Sequence, residues 1–82
     1  PSTNAGMADI HATVLVGHIP VSVWLEVKTA KGRISENQKL FSDTVTAAGG
    51  FYYVVRSIDD VEAALRDVSQ RTIQNIREFI PF

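Results

Sequence analysis

Residues 24–38 read Trp-Leu-Glu-Val-Lys-Thr-Ala-Lys-Gly-Arg-Ile-Ser-Glu-Asn-Gln. The first residues of this stretch complete a segment from Val21 to Thr29 in which apolar residues alternate with others, as in a β-strand with one buried face. A short basic loop follows, and Ser35 and Gln38 have the spacing of a helix capping box. The stretch therefore predicts a strand, a loop and the start of a helix, and the other elements are arranged around it.

Outward from this stretch, the pattern predicts two more strands and a second helix. An upstream strand from Asp9 to Val16 forms an antiparallel hairpin with the strand from Val21 to Thr29, through a four-residue turn. The order is β-β-α-β-α, an α/β (α+β) fold in which the strand–helix–strand part is a right-handed crossover. The remaining predicted boundaries are a turn at 17–20, a helix from Ser35 to about Ala48 stopped by Gly49-Gly50, a strand from Phe51 to Arg56, and a helix that begins at Ser57 and ends at Pro81.

Both helices carry apolar side chains at helical spacing, which predicts the faces that pack on the sheet. The predicted stripes are Leu40, Phe41, Val45 and Ala48 on the first helix, and Ile58, Val61, Leu65, Val68, Ile73, Ile76 and Ile80 on the second. The second helix, which also contains Phe79, has more apolar residues near its end than so small a core needs. Either they pack on the sheet, or they form the seam of a homodimer.

The composition limits the class of protein. We expect the 82 residues to form one domain, spanning residues 1–82. The absence of cysteine excludes disulfides and thiolate metal sites. No apolar run is long enough to cross a bilayer and no signal peptide is visible, so we expect no membrane partner.

The basic residues are unevenly distributed along the chain. The net charge is −1, yet four of the eight basic residues lie between positions 28 and 39. These four are Lys28, Lys31, Arg33 and Lys39. Either they keep a loop in solution, or they contact the phosphates of a nucleic acid.

The predicted hairpin brings two carboxylates to one face of the sheet. If Val16 and Val21 flank the turn, Lys28 lies opposite Asp9 and Glu26 lies opposite His11. Asp9 and Glu26 are then diagonal neighbours, roughly 7–8 Å apart at their Cα atoms. That separation lets both reach one hard cation such as Mg²⁺, which keeps waters that substrate phosphates can replace. With Lys28 beside the ion, the chemistry supported is metal-assisted hydrolysis of a phosphodiester.

A purely structural explanation stays open at this point. Asp9 and Lys28 could form a cross-strand ion pair, which contributes about 0–1 kcal/mol at a surface. The register matters, because a one-residue slip would send the two carboxylates to opposite faces. On the same face, we interpret His11 as a half-exposed packing residue and Trp24 as a packing or dimer-contact residue.

An ordered set of motifs resembles the virus-type replication-repair nuclease (VRR-NUC) family, a branch of the PD-(D/E)xK nucleases. The matching segments are Gly6-Met7-Ala8-Asp9, Trp24 to Thr29, Lys31 to Ser35 with Gln38, Gly49-Gly50, and Arg56-Ser57-Ile58-Asp59-Asp60. The resemblance covers about residues 6–65. A bare Glu-x-Lys would be a weak signal, whereas this ordered set is a strong one.

The resemblance implies a restriction-endonuclease-like core and a set of roles for individual residues. Asp9 and Glu26 would be metal ligands with the Val27 carbonyl as a third, and Lys28 would be the catalytic lysine. Gln38 is similar to the family's helix glutamine near the metal, although its capping role has at least equal weight. The implied cofactor is Mg²⁺ or Mn²⁺.

The resemblance also implies a DNA substrate, duplex or branched. Lys31, Arg33, Lys39 and Arg56 become candidate phosphate contacts, although Arg56 could equally pair with Asp59 or Asp60. Small members of the family look like dimers that nick four-way junctions, and two symmetric sites suit a symmetric substrate.

We therefore expect a homodimeric Holliday junction resolvase from a phage or bacterium, working in the cytoplasm of the bacterial cell or infected host. Two alternatives stay open: a flap, nick or general DNA nuclease of the same fold, and a non-catalytic DNA-binding or assembly module. The chain differs from the family pattern in two ways. Ala8 replaces a proline, and the family's N-terminal helix, which often bears another acidic residue, is expected to be missing.

Overall fold

The computed structural model describes residues 7–79, which form a three-stranded mixed sheet with two helices. The elements are β1 (Ile10–Val16), β2 (Ile19–Val27), α1 (Glu36–Ala47), β3 (Phe51–Val55) and α2 (Ile58–Phe79). The strand order is β1-β2-β3, with β1 antiparallel and β3 parallel to the middle strand β2. The predicted α+β class, element order and hairpin are confirmed. Gly6, Ile80 and Pro81, which the predictions also used, lie outside the described residues.

The hairpin turn is shorter than predicted. Val16 pairs with Ile19, so only Gly17 and His18 form the turn, and the predicted four-residue turn with a Val16–Val21 pair is wrong. Gly17 has a φ of +64°, and no residue other than glycine within 7–79 has a positive φ. A two-residue turn with glycine in the left-handed region at its first position is the pattern of a type II′ hairpin.

Pro20 was assigned to the turn but lies within β2, opposite Leu15. The N–H of Lys28 donates to the carbonyl of Val55 on β3, so even-numbered residues of β2 direct their backbone groups toward β3. Since β3 begins only opposite Val23, the nitrogen of Pro20 faces an unpaired edge. A proline is tolerated there because no ladder hydrogen bond is lost.

The core lies between one face of the sheet and α2. It contains Val21, Val23, Leu25, Val55, Ala64 and Val68. The opposite face carries an aromatic cluster in which Phe41 of α1 meets Trp24 of β2 and Tyr52 of β3 edge-on, with ring centroids 4.9 and 6.0 Å apart. The two helices therefore lie on opposite faces, and α1 covers the face that carries Glu26.

The predicted packing faces of both helices are partly wrong. Leu40 of α1 is 62% exposed, and in α2 Ile58, Leu65 and Ile73 are exposed. Over residues 58–78, the buried residues of α2 are Ala64, Val68 and Thr72, at steps of four residues. The apolar arc of α2 is therefore wider than the part of the helix that packs on the sheet. No helix within residues 7–79 is both long enough and apolar enough to cross a membrane.

Both predicted helix starts are confirmed by hydrogen bonds. The Ser35 hydroxyl accepts from the Gln38 N–H, and the Gln38 side-chain carbonyl accepts from the Ser35 N–H, which completes the capping box. At α2, the Ser57 hydroxyl accepts from the Asp60 N–H. After α1, Gly49 adopts a φ of +86°, as expected of the glycine that ends a helix.

We expect Val68→Ala to lower the free energy of unfolding by about 1–3 kcal/mol, because it opens a cavity at a fully buried position. Leu65→Ala removes a larger side chain that is 39% exposed and should have the smaller effect. Urea denaturation of both variants measures this difference. A larger loss for Leu65→Ala would contradict the observed packing face of α2.

Candidate active site

Asp9 and Glu26 lie together at the end of the hairpin. Glu26 is on the middle strand and its side chain is only 4% exposed. Asp9 directly precedes β1, and extending the Ile10–Leu25 pair by one residue places it beside Glu26. The prediction that Lys28 lies opposite Asp9 is therefore wrong, and so is the pairing of Glu26 with His11. The register differs from the predicted one by two residues, so each side chain keeps its predicted face.

A backbone hydrogen bond holds Asp9 in this position. Its carboxylate accepts from the Val27 N–H at 2.9 Å, beyond the last paired residue of β1. By the alternation of the ladder, the Val27 carbonyl points to the same side as its N–H. The backbone thus offers an oxygen on the side where Asp9 lies, and its role as a third metal ligand stays a prediction.

The surroundings of Glu26 disfavour its charged form. Burial, followed by the negative charge of Asp9, raises the pKa of the Glu26 carboxyl above its usual value of 4.5, and the ammonium of Lys28 opposes this only in part. One oxygen of Glu26, Oε1, is buried and has no hydrogen-bond partner among the described residues.

Lys28 lies beside this pair. Its Nζ is 3.7 Å from Oε2 of Glu26, and its side chain is 21% exposed. The alternative of an Asp9–Lys28 ion pair is not found among residues 7–79, where Lys28 pairs with Glu26 instead. Lys28 therefore has one side toward the carboxylates and another toward solvent, where a substrate could approach.

The residues present fit a divalent cation. No group of three or more His, Cys, Asp or Glu that could hold a metal occurs within the described part of the chain. The predicted set is of another kind, with two carboxylates and one backbone carbonyl, and oxygen ligands of this type suit Mg²⁺. The unpaired Oε1 of Glu26 is a buried acceptor that a cation would satisfy, and a cation would also relieve the repulsion between the carboxylates.

The structure gives Gln38 a definite local role. Its side-chain carbonyl is committed to the Ser35 N–H at 3.0 Å, so the capping interpretation is confirmed. Its predicted role near the metal stays a prediction.

Arg56 anchors the basic loop instead of pairing with an acid. Its guanidinium donates to the carbonyls of Thr29 and Gly32, which closes the loop between β2 and α1. A salt bridge from Arg56 to Asp59 or Asp60 is absent from the described residues. DNA contact by Arg56 stays a prediction.

The other basic candidates follow Lys28 along the chain. Lys31 and Arg33 are exposed on the loop that Arg56 closes, and Lys39 is exposed in the first turns of α1. Their positions leave both explanations open, solubility and phosphate contact.

The aromatic residues on this face show one confirmed and one missed feature. His11 stacks on Trp24 with centroids 3.7 Å apart and hydrogen-bonds to Ser22, so the packing interpretation of both rings is confirmed. Sequence reasoning missed Tyr52, which was assigned to packing within an apolar strand. Its hydroxyl is buried on the face of the sheet that carries Glu26. The available signal was that Tyr52 pairs with Trp24, which lies on the same face of β2 as Glu26.

The chain was also compared with known proteins. No family model matches it, and no curated protein or solved structure does either. The likeness to VRR-NUC nucleases therefore rests on the ordered motifs and on the site described above.

We expect Glu26→Gln to make the metal-free protein more stable at neutral pH. A raised pKa means that the folded state binds the proton more tightly than the unfolded state, so the stability of the wild type falls as pH rises from 4.5 through the raised pKa. The glutamine variant lacks that loss. Urea denaturation in chelator at several pH values measures the free energy of unfolding of both proteins.

Glu62→Gln, at an exposed position of α2, serves as the matched control and should follow the wild type at every pH. The same pH dependence in Glu26→Gln and in the wild type would contradict a buried Glu26 carboxyl with a raised pKa.

Proposed function

We propose that the chain is a Mg²⁺- or Mn²⁺-dependent, structure-selective DNA endonuclease of the VRR-NUC type, a homodimeric Holliday junction resolvase. One observation carries the proposal: Asp9 and a buried Glu26 converge, and Glu26 has one oxygen, Oε2, near the ammonium of Lys28 while the other, Oε1, is buried without a partner. A core that only has to fold gains nothing from two adjoining carboxylates of which one is buried.

Each residue of the site has a distinct part in phosphodiester hydrolysis. The carboxylates of Asp9 and Glu26, with the Val27 carbonyl, would hold the cation, which when bound lowers the pKa of water and stabilises charge on phosphate. Lys28, partly exposed next to Glu26, would orient the attacking water or neutralise a phosphate oxygen. Gln38, on the cap of α1, would contact the same site from the helix.

The loop after β2 would bring DNA to these groups. It carries Lys31 and Arg33, and the guanidinium of Arg56 holds its carbonyls in place. A loop closed in this way presents its cations at fixed positions, which favours phosphate contacts that place the backbone over the site. Phosphate contacts of this kind would make DNA binding weaken as salt rises.

The fold is compatible with a restriction-endonuclease-like core. The strand that carries Glu26, and that Lys28 directly follows, lies in the middle between an antiparallel and a parallel neighbour. The exposed apolar residues Ile58, Leu65 and Ile73 of α2 would be covered in a homodimer. Two copies would present two sites to the two strands of a junction.

We expect the protein to cut a labelled four-way junction in Mg²⁺, and to cut a linear duplex or a flap more slowly. Lys28→Ala should lower the cleavage rate by about 10²-fold or more while DNA binding is kept, because groups that assist water attack contribute on that scale. Arg66→Ala, exposed on α2, is the matched control that removes a cation outside the site. Gel electrophoresis gives the cleavage rates and a mobility-shift titration gives the binding.

Three results would each remove a part of the proposal. Duplex cut as fast as junction would exclude the resolvase and leave a general nuclease. Full activity in Lys28→Ala would remove that residue from the mechanism. If no substrate is cut in Mg²⁺ or Mn²⁺, and Glu26→Gln binds DNA like the wild type, a non-catalytic module is favoured instead.

A further inference from the structure

Tyr52 lies on the same face of the sheet as Glu26. It pairs with Trp24 in the parallel ladder, and Glu26 pairs with Val54, so Tyr52 and Glu26 are diagonal neighbours. Phe41 of α1 packs edge-on against the Tyr52 ring at 6.0 Å. The ring therefore lies under α1, on the face of the sheet that carries Glu26.

The Tyr52 hydroxyl is buried without a hydrogen-bond partner among the described residues, as is Oε1 of Glu26. Burying one such group without a partner costs about 1–3 kcal/mol, so two on one face call for an explanation. Burial and then the charges of Glu26 and Asp9 raise the pKa of Tyr52, so the phenol stays protonated at neutral pH.

The neighbouring tyrosine shows what an ordinary buried phenol does in this fold. Tyr53 points to the opposite face and donates to the carboxylate of Asp67 on α2 at 2.8 Å. Its hydroxyl is accounted for by packing of the helix on the sheet. Tyr52 has the same chemistry, one residue away, and no partner of this kind.

We propose that Tyr52 is a positioning residue of the Asp9–Glu26 site, whose hydroxyl hydrogen-bonds to a water ligand of the bound divalent cation. This inference rests on the proposed function, because it requires the cation. Mg²⁺ in proteins keeps several waters, each of which donates hydrogen bonds and needs acceptors. A neutral phenol can accept a hydrogen bond from such a water, which would satisfy the Tyr52 hydroxyl, while the cation would satisfy Oε1 of Glu26.

The test measures Mn²⁺ affinity from the electron paramagnetic resonance signal of the free ion, in the wild type, Tyr52→Phe and Tyr53→Phe. Loss of a group that orients metal ligands typically weakens binding by about 10-fold or more, and we expect that loss in Tyr52→Phe. Tyr53→Phe should bind Mn²⁺ like the wild type. In chelator we expect the opposite order for stability. Tyr53→Phe should melt below the wild type because it loses the hydrogen bond to Asp67, and Tyr52→Phe should not.

A second readout uses the phenol itself. Titration with Mg²⁺ should produce a near-ultraviolet tyrosine difference spectrum in the wild type and in Tyr53→Phe, and none in Glu26→Gln. A Tyr52 ring that only packs would give no such signal. This measurement does not depend on whether Tyr52→Phe folds.

The possible outcomes separate this inference from the proposed function. If the wild type binds Mn²⁺ and Tyr52→Phe binds it equally well, the role of Tyr52 is overturned and the metal site stands. A wild type that binds Mn²⁺ but shows no tyrosine signal with Mg²⁺ also overturns that role. If the wild type binds neither ion, the proposed function and this inference fall together.

Discussion

A carboxylate buried next to another carboxylate is the constraint on which this structure depends. Glu26 lies on the middle strand, where neighbours on both sides exclude water, and Asp9 is held beside it by the Val27 N–H. Lys28 lies 3.7 Å away and offsets the repulsion only in part. The divalent cation that we propose would balance these charges, and the fold itself brings the two carboxylates together.

The core, α1 and the loop that Arg56 closes stabilise the strand and the face on which these two carboxylates lie. The core between the sheet and α2, with Val23 and Val68 at its most buried positions, stabilises the strand that carries Glu26. On the other face, α1 covers the aromatic residues near the site, and Arg56 closes the basic loop. A small domain that holds unpaired buried groups gives up stability for its site, and binding an ion would restore part of it.

Much of the fold could be predicted because its signals are local. The strands follow from alternation, and the helix starts from Ser35 and Ser57, whose partners are three residues away. The turn was predicted too long because proline is common in turns. Pro20 can lie within β2 since β3 begins only opposite Val23, which leaves the nitrogen of Pro20 without a neighbouring strand. The error shifted the register by two residues, which keeps every side chain on its face, so the convergence of the two carboxylates could still be predicted.

The features that could not be predicted depend on which elements meet in space. Which residues of α2 are buried depends on the packing of Ala64 and Val68 against the sheet. That the Tyr52 hydroxyl is buried without a partner depends on the packing of Phe41 from α1 against its ring, which the local sequence does not determine. That Asp9 and Glu26 bind one divalent cation is tested most directly by soaking a crystal in Mn²⁺. We expect an anomalous-scattering peak within bonding distance of the carboxylates of both residues. Side chains that diverge, with no peak between them, would contradict it.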